Sequence, residues 1–398
     1  MANPDNTPTP DTLQEALLND PEFLQRIVQN ALQHILEAEI SHHLNAEPYQ
    51  RTPSRKGYRN GYKPRQLKTR VGSLELLIPQ DRDGTFRTEL FEKYQRNEKA
   101  LVLSLMTMYL EGISTRKVRD VTEVLCGTSF SKSTVSNLTR QLDEDLQAWR
   151  SRPLEVEYPY LMVDARYEHV RVDHQVVSLG VLIVTGVRAD GYREILAVAV
   201  SDTESEATYQ EVFRSLKTRG LRGVQLVTSD DHAGLRAAIS RHFQGASWQR
   251  CQVHFARNLL GRVARKHRKH LAEDLKGIFR APTLEWAWKA VVEVVDAWRG
   301  SHRALAEHLE GHVEECLVCF AFPVSHRLRI RTTNSLERLN QEIKRRTRVV
   351  RIFPNRESCL RLVTASCMET SEEWLSGKRY LDMSWLVEPA ELEELIGA

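Results

Sequence analysis

Residues 158–166 read YPYLMVDAR, an apolar run that ends in an acid, Asp164. Further segments of strand composition follow at residues 168–173, 176–187 and 193–200. Apolar and β-branched residues between turn-forming residues indicate strands. We therefore predict an antiparallel meander of three or four strands that begins at Tyr158, with its first tight turn at Asp173-His174.

Two helices and two further strands follow the meander. Residues 205–218 and 233–242 have helical spacing, whereas residues 224–229 and 247–253 have strand composition. This order, three strands and then helix, strand, helix, strand, matches the ribonuclease H-like fold. The predicted fold class is therefore an α/β core of ribonuclease H-like type, with a mixed five-stranded sheet and flanking helices.

A helical stretch separates this sheet from the last part of the core. In a ribonuclease H-like fold a final helix returns an acid to the sheet, but the candidate acid Glu337 lies 107 positions after Asp230. Because helical patterns fill most of the interval, we predict an all-helical insertion over residues 256–325. It would divide the core into a first part, residues 153–255, and a last part, residues 326–398, with the Glu337 helix and C-terminal helices.

The chain before residue 153 is predicted to be a mainly α-helical DNA-binding region. Residues 1–20 are polar and proline-rich at their start, which predicts disorder. Residues 21–99 would form a DNA-binding and dimerisation region, in which residues 21–44 have the spacing of one amphipathic helix. The apolar face of this helix has two possible partners, another subunit or its own chain.

Residues 100–152 resemble a helix-turn-helix. The pattern predicts helices over residues 114–125 and 132–146, with Gly127 in the turn and Ser131 or Ser133 as the cap of the second helix. Many helical hairpins share this pattern, so DNA contact and simple packing both remain open. If the second helix enters a groove, it presents a polar set of side chains there. That set includes Ser133, Asn137 and Arg140.

Basic residues are concentrated in three stretches, although the formal net charge of the 398 residues is only +3. Residues 51–70 and 250–269 contain no acid, and residues 327–351 contain only Glu337 and Glu342. Such clustering indicates contact with double-stranded DNA. The candidate contacts outside the helix-turn-helix are Arg55, Lys56, Arg59, Lys63, Arg65, Arg257, Arg331, Asn334, Arg338, Lys344, Arg345 and Arg346.

The composition argues against membrane and secreted classes. No apolar run approaches the roughly 18 residues of a membrane-spanning helix. The six cysteines are scattered, and no secretion signal is apparent. We therefore expect a cytoplasmic protein with reduced thiols and no membrane partner.

Three carboxylates form the candidate catalytic site. Phosphodiester cleavage needs an activated oxygen nucleophile and a stabilised leaving oxygen, which two Mg²⁺ ions about 4 Å apart provide. Asp164 and Asp230 follow or end apolar strand segments, and Glu337 lies among cations, so we predict these three as catalytic metal ligands. Mn²⁺ could substitute for Mg²⁺. Asp231 remains an alternative to Asp230, because side chains past a strand end can change direction.

Cys251 and His254 have the spacing of a metal-ligand pair, and Cys316 and Cys319 form a second pair. We do not favour a zinc site, because Cys316 and Cys319 lie in an apolar run where cysteines act as small hydrophobes. His254 either contacts phosphate, positions a catalytic group, or makes a packing contact at the end of a strand.

These motifs together resemble the Mutator-type transposases of bacterial insertion sequences. The resemblance is carried by VDA at residues 163–165, SDDHAGL at 229–235, CQVH at 251–254 and RTTNSLERLN at 331–340, followed by Lys344-Arg345-Arg346. RKGYRNGY at residues 55–62 and GISTR at residues 112–116 extend it over most of the chain.

The resemblance implies a transposase with an Asp-Asp-Glu triad, which would be Asp164, Asp230 and Glu337. It implies a Cys/Asp-x-x-His signature at Cys251 and His254, in which Asp is accepted for Cys. The enzyme would act as a homodimer on the terminal inverted repeats of its own element, and cut and join DNA with Mg²⁺. The family usually has Gly where this chain has Asp231.

Two other functions remain open. One is a nuclease of the same fold that hydrolyses DNA without strand transfer. The other is a domesticated, non-catalytic DNA-binding protein that uses only the basic segments and the helix-turn-helix.

Overall fold

The computed structural model describes residues 22–69, 71–89, 99–126, 130–201 and 205–386. The chain divides into two compact units, residues 1–141 and 142–398. The predicted disorder over residues 1–20 lies outside the described residues. Among the helices within the described ranges, none is long and apolar enough to cross a membrane.

The first unit is built around a helix that covers a β-hairpin. Helix α1 (Phe23–Leu44) packs on strands β1 (Arg59–Thr69) and β2 (Gly72–Asp81), which are antiparallel. Leu36 of the helix is buried against Leu67 and Leu74 of the hairpin. The apolar face of α1 therefore packs within its own chain, which answers the question that the sequence left open.

The hairpin was absent from the sequence-based prediction, which identified residues 51–70 only as a basic stretch that contains no acid. Strand β1 reads RNGYKPRQLKT and has almost no apolar pattern. Most residues of β1 are exposed, because only one face of the two-stranded sheet is covered. Its buried residues are Leu67 and Thr69. A strand covered on one side and rich in Lys and Arg gives a weak sequence signal.

Three further helices follow in the first unit, α2 (Lys99–Leu110), α3 (Thr115–Cys126) and α4 (Lys132–Thr139). Ser131 caps α4, since its hydroxyl accepts a hydrogen bond from the Thr134 amide at 3.1 Å. Gly127, the predicted turn residue, lies outside the described residues.

The predicted extension of the second helix to Leu146 is wrong. Helix α4 ends at Thr139, a 3₁₀ turn follows, and α5 (Asp143–Ser151) belongs to the second unit. The first turn of α5 is acidic, which suits a helix N-terminus. Asp143 there accepts two hydrogen bonds of 2.7 Å from Arg361, and this long-range ion pair ties α5 to the second unit.

The second unit contains a mixed five-stranded sheet. Its spatial order is β5-β4-β3-β6-β7. Strand β4 is antiparallel to both β3 and β5, whereas β3, β6 and β7 are parallel to one another. The strands are β3 (Tyr160–Val172), β4 (Gln175–Val187), β5 (Arg193–Ser201), β6 (Leu226–Ser229) and β7 (Ser247–Arg250).

Strand β3 is continuous, so the predicted interruption near Tyr167 is wrong. The predicted turn is confirmed: Asp173 and His174 both have positive φ, 47° and 65°, and they connect β3 to β4 as a two-residue hairpin. Two central residues with positive φ match the twist of the flanking strands.

Helices cover both faces of the sheet. Helices α6 (Glu206–Thr218) and α7 (Ala233–His242) bury Phe213 and Leu235 against one face, with Leu161 and Val163 of β3. Successive strand residues point to opposite faces, so Tyr160, Met162 and Asp164 face the other side. The later helices α13 and α14 pack on that side.

Residues 256–325, the predicted insertion, contain helices and 3₁₀ turns and no strand. Strand β7 ends at Arg250 instead of Val253, because Cys251 is the N-cap residue of the next helix. The helices that follow β7 are α8 (Gln252–Gly261), α9 (Arg268–Phe279), α10 (Leu284–Arg299), α11 (Arg303–His312), α12 (Val324–Ile330), α13 (Asn334–Val350) and α14 (Arg356–Ser376), of which α13 and α14 lie after the predicted insertion; 3₁₀ turns occur at 265–267, 314–316 and 318–321.

Candidate active site

Two carboxylates lie side by side because of strand register. Strands β3 and β6 are parallel and pair Met162 with Thr228. Two residues further along the chain from this pair are Asp164, within β3, and Asp230, directly after the end of β6. Pairing of the two apolar strands therefore brings Asp164 and Asp230, which are distant in sequence, close together in space.

The Asp164 carboxyl lies in an environment that disfavours its charge. Burial raises its pKa to about 6, and the neighbouring Asp230 carboxylate adds to this rise. His254 and a 2.6 Å hydrogen bond from Asn340 Nδ2 to Asp164 Oδ2 oppose it. Asp230 is about half exposed, and its Oδ1 accepts a hydrogen bond from the Asp231 amide.

Asp231 points into a different electrostatic environment. Its Oδ2 lies 2.9 Å from Arg250 and its Oδ1 lies 3.3 Å from Arg236. Both arginines also contact Glu315, and Arg250 is only 3% exposed. Two acids and two arginines thus form a closed ionic network beside the carboxylate pair.

The Cys251-x-x-His254 motif begins helix α8. The Cys251 sulfur accepts a hydrogen bond from the Thr333 amide at 3.4 Å, just before α13 begins. Cys251 therefore joins the starts of two helices, and an aspartate carboxylate could accept the same hydrogen bond.

His254 faces the carboxylate pair. Its Nδ1 lies 4.0 Å from Asp230 Oδ2. A hydrogen bond with Cys251 raises the pKa of His254 to about 9, and the charges of Asp230 and Asp164 contribute. Of the three roles considered from sequence, a packing contact at a strand end does not apply, because His254 lies in the first turn of α8.

Cys316 and Cys319 are buried in 3₁₀ turns of the insertion. Burial raises the pKa of Cys319 to about 11 and that of Cys316 well above its usual value, which disfavours the thiolates that zinc needs. Within the described ranges, no three His, Cys, Asp or Glu side chains are close enough together to hold a metal ion. Asp164, Asp230 and Glu337 therefore do not form such a group in this structure.

Glu337 lies in the first turn of α13 and is about half exposed. Its Oε1 is 3.9 Å from the Arg257 guanidinium. The residue of α13 that contacts Asp164 is Asn340, three positions further on. The structure therefore brings together Asp164, Asp230 and His254, with Glu337 on the adjacent turn of the facing helix.

The role of Asn340 was missed from sequence, although the residue lies within the RTTNSLERLN motif. Its side chain binds Asp164, and its carbonyl oxygen accepts a 2.6 Å hydrogen bond from Arg166. Arg166 in turn forms an ion pair with Glu168 on the same strand. An amide three residues after a candidate catalytic acid shares its helix face, and this spacing was the available signal.

The predicted DNA contacts of the second unit fall into two groups. Arg346 is 5% exposed and pairs with Glu342 and Glu369, so burial removes it from the phosphate contacts that we propose. Arg331 is partly buried and donates to the Phe279 carbonyl. Arg345 is exposed but also pairs with Glu342. The others, all at least partly accessible, are Arg257, Asn334, Arg338 and Lys344.

The predicted contacts of the first unit are also mixed. Arg59 pairs with Glu37 of α1, and Arg55 donates to the carbonyl groups of Gly57 and Gln50. These two side chains stabilise the local structure. Arg65 is half-buried, and the exposed members are Lys56, Lys63, Ser133, Asn137 and Arg140.

The chain belongs to the Mutator family of transposases, since the model of that family matches residues 7–377. It is 46% identical over 380 residues to the transposase for insertion sequence element ISRM5 of Rhizobium meliloti (strain 1021), with 96% of each chain covered. It is 43% identical over 375 residues to the transposase for element IS406 of Burkholderia multivorans, with 94% and 95% covered.

A third relative is the transposase for element IS256 in transposon Tn4001 of Staphylococcus aureus, 41% identical over 362 residues, with 90% of this chain and 93% of the relative covered. Among solved structures, the Drosophila P element transposase strand transfer complex aligns with 79% of this chain and 87% of that chain. Its TM-score of 0.29 and identity of 12% are too low to support an argument.

Proposed function

We propose that this protein is an insertion-sequence transposase of the Asp-Asp-Glu type, with Asp164, Asp230 and Glu337 as its catalytic acids. The observation that carries the proposal is the adjacency of Asp164 and Asp230 at matching positions of parallel strands. Family membership supports the same reaction, because the relatives are named as transposases. The strand order and helical layers support a ribonuclease H-like assignment of the core.

The donor set fits Mg²⁺. Asp164 and Asp230 place two partly dehydrated carboxylates together, and burial makes the charge of Asp164 unfavourable without a cation. Within the described part of the chain, the buried Asn340 Oδ1 has no hydrogen-bond partner. Mg²⁺ is commonly held by one or two carboxylates together with water and substrate phosphate. Asp164 and Asp230 would supply the carboxylates, and Glu337 would join them when DNA is bound.

When bound, the metal ions activate the attacking oxygen and stabilise the leaving oxygen of the phosphodiester. The residues of this chain supply position and charge. Asn340 orients the Asp164 carboxylate through its 2.6 Å hydrogen bond. His254, whose pKa is raised to about 9 by Cys251 and by the charges of Asp230 and Asp164, faces Asp230 and would donate a hydrogen bond to substrate phosphate in its protonated form.

We further propose that DNA is the partner and that Mg²⁺-dependent cleavage and joining occur at the terminal inverted repeats of an element, by a homodimer. Accessible cations support the DNA contact, namely Arg257, Arg338 and Lys344 around the Glu337 helix. Cations near a phosphodiester substrate contribute to binding without regard to base sequence.

The test is incubation of the purified protein with labelled element ends, a supercoiled target plasmid and Mg²⁺. We expect labelled ends joined to the plasmid, and no product when EDTA replaces Mg²⁺. Cleaved ends without joined product would favour the nuclease alternative. Binding without cleavage, at any Mg²⁺ or Mn²⁺ concentration, would favour the non-catalytic alternative and overturn the proposal.

A further inference from the structure

A cavity of about 750 Å³ lies beside the candidate active site, in the second unit. It is bounded by α8, α9, the start of α13 and the segment after α14. Its lining is strongly cationic and includes no acid among the described residues. The cationic members are Arg193, Lys276, Arg280, Arg329, Arg331, Arg338, Lys378 and Arg379.

The positive charge of the cavity is poorly neutralised. Arg280, Arg338 and Lys378 have no ion-pair partner in the part of the chain that the structure describes. Burial lowers the pKa of Arg193, and the charges of Arg329 and Arg338 lower it further. Like charges held close together without acids would be stabilised by a bound anion.

The rest of the lining is apolar and aromatic. Leu275 and Phe279 of α9 form part of one wall, together with Val253 and Leu260 of α8. Tyr380 contributes an aromatic ring, with the Arg193 guanidinium 4.2 Å from its centroid. Cations combined with apolar and aromatic surface are typical of sites that hold a phosphate and a base of an unpaired strand.

Helix α13 connects this cavity to the carboxylates. Asn334 and Arg338, one turn apart, line the cavity, whereas Asn340 contacts Asp164. With about 100° of rotation per residue, Glu337 lies about 60° around the helix from both Asn334 and Asn340. Glu337 therefore lies between the cavity and Asp164. A DNA strand bound at the proposed catalytic acids can continue into the cavity.

We propose that the cavity binds an unpaired segment of the DNA substrate next to the cut site, with its phosphates on the arginines and a base against the apolar wall. This inference rests on the proposed function and names the form of DNA that the site takes. The volume lies in the range of pockets that enclose a small ligand, which is the size of one or two nucleotides. A duplex would have to unpair and unstack a base to place it there, which disfavours its binding relative to an unpaired strand.

The test compares two double variants of the full-length protein. Arg280→Gln with Lys378→Gln removes two cations of the cavity, and Lys289→Gln with Arg303→Gln removes the same charge from exposed positions that do not line it. The probes are a labelled oligothymidylate of about 12 nucleotides and a duplex of equal length. Binding is measured by fluorescence anisotropy over a series of salt concentrations, without divalent metal.

We expect the cavity variant to bind the single strand about tenfold more weakly and to reduce the slope of log affinity against log salt by about 1.4, the value for two lost phosphate contacts. Its duplex affinity should change by less than about twofold, and the control variant should match wild type with both probes. Arg280→Lys with Lys378→Arg, which keeps both charges, should restore binding. Unchanged melting temperatures confirm that all variants fold.

Equal losses for single strand and duplex, or no loss for either, would overturn the proposal. Displacement of the strand by a free nucleoside triphosphate at the same nucleotide concentration would assign the cavity to a free nucleotide and also overturn it. Because the assay contains no divalent metal, its outcome is independent of cleavage. Failure of the cleavage test with retained single-strand selectivity would overturn the catalytic proposal alone.

Discussion

Two pairs of acids lie close together in the second unit, and their surroundings are opposite. Asp164 and Asp230 are close enough to interact electrostatically and form no ion pair with an arginine among the described residues, whereas Asp231 and Glu315 are held by Arg250 and Arg236. The first pair has His254 as its basic neighbour, whereas the second is a closed ionic network with two arginines. Adjacent residues in sequence, Asp230 and Asp231, thus belong to sites with different physical roles, and the first pair is the one suited to a cation.

The largest effect should come from the first pair. We expect Asp164→Asn to lower cleavage of element ends at least about 1000-fold, because it removes a proposed metal ligand worth several kcal/mol in the transition state. Stability should not fall, since the substitution relieves repulsion with Asp230. Single-turnover cleavage and thermal unfolding measure the two quantities.

The matched control is Asp173→Asn, in the turn after the same strand. Asp173 has a positive φ that Asn tolerates well, so cleavage and stability should both remain close to wild type. Wild-type cleavage by Asp164→Asn would remove this residue from the catalytic acids.

The second pair, Asp231 and Glu315, should matter for stability instead: loss of its arginine partner should have a large effect on the free energy of unfolding. Arg250 is almost fully buried, and its removal leaves Asp231 and Glu315 without their main cation. We expect Arg250→Ala to lower the free energy of unfolding by about 3–5 kcal/mol, the usual cost of breaking a buried ion pair. Urea denaturation measures this change.

Arg236 is the control for Arg250, because it contacts the same two acids but is 43% exposed. Arg236→Ala should cost less than about 1 kcal/mol, as expected for a solvent-screened ion pair. Similar losses for the two arginines would show that the network does not depend on the burial of Arg250.

A smaller effect is expected where the facing helix supports the first pair. Asn340→Ala removes the hydrogen bond that orients Asp164, and we expect cleavage to fall about 10- to 100-fold, the usual cost of losing a partner of a metal ligand. The loss should be partly recovered at higher Mg²⁺ concentration, because the carboxylates remain. A loss that is independent of Mg²⁺, or a lower melting temperature of equal size, would indicate a packing role only.

Much of the second unit was predictable from sequence because its central strands are buried on both faces and read as continuous apolar runs. Those runs located Asp164 and Asp230 at comparable positions, and turn residues located Asp173-His174. Helix α7 was predicted with its observed bounds, Ala233–His242.

Other features depend on contacts between distant residues and left little local signal. The choice between Asp230 and Asp231 rests on Arg250 and Glu315, which lie 19 and 84 positions after Asp231. Strand β1 is nearly all polar because only one of its faces is covered. The role of Asn340 depends on its hydrogen bond to Asp164, which is 176 positions away in sequence.

The most direct test of this account is single-turnover cleavage of labelled element ends by Asp230→Asn and Asp231→Asn, measured side by side in Mg²⁺. We predict that Asp230→Asn loses at least about 1000-fold in rate, and that Asp231→Asn stays within about tenfold of wild type once its stability has been checked. The opposite ranking would show that Asp231 holds the metal, and would contradict the assignment of the open acid pair as the catalytic one.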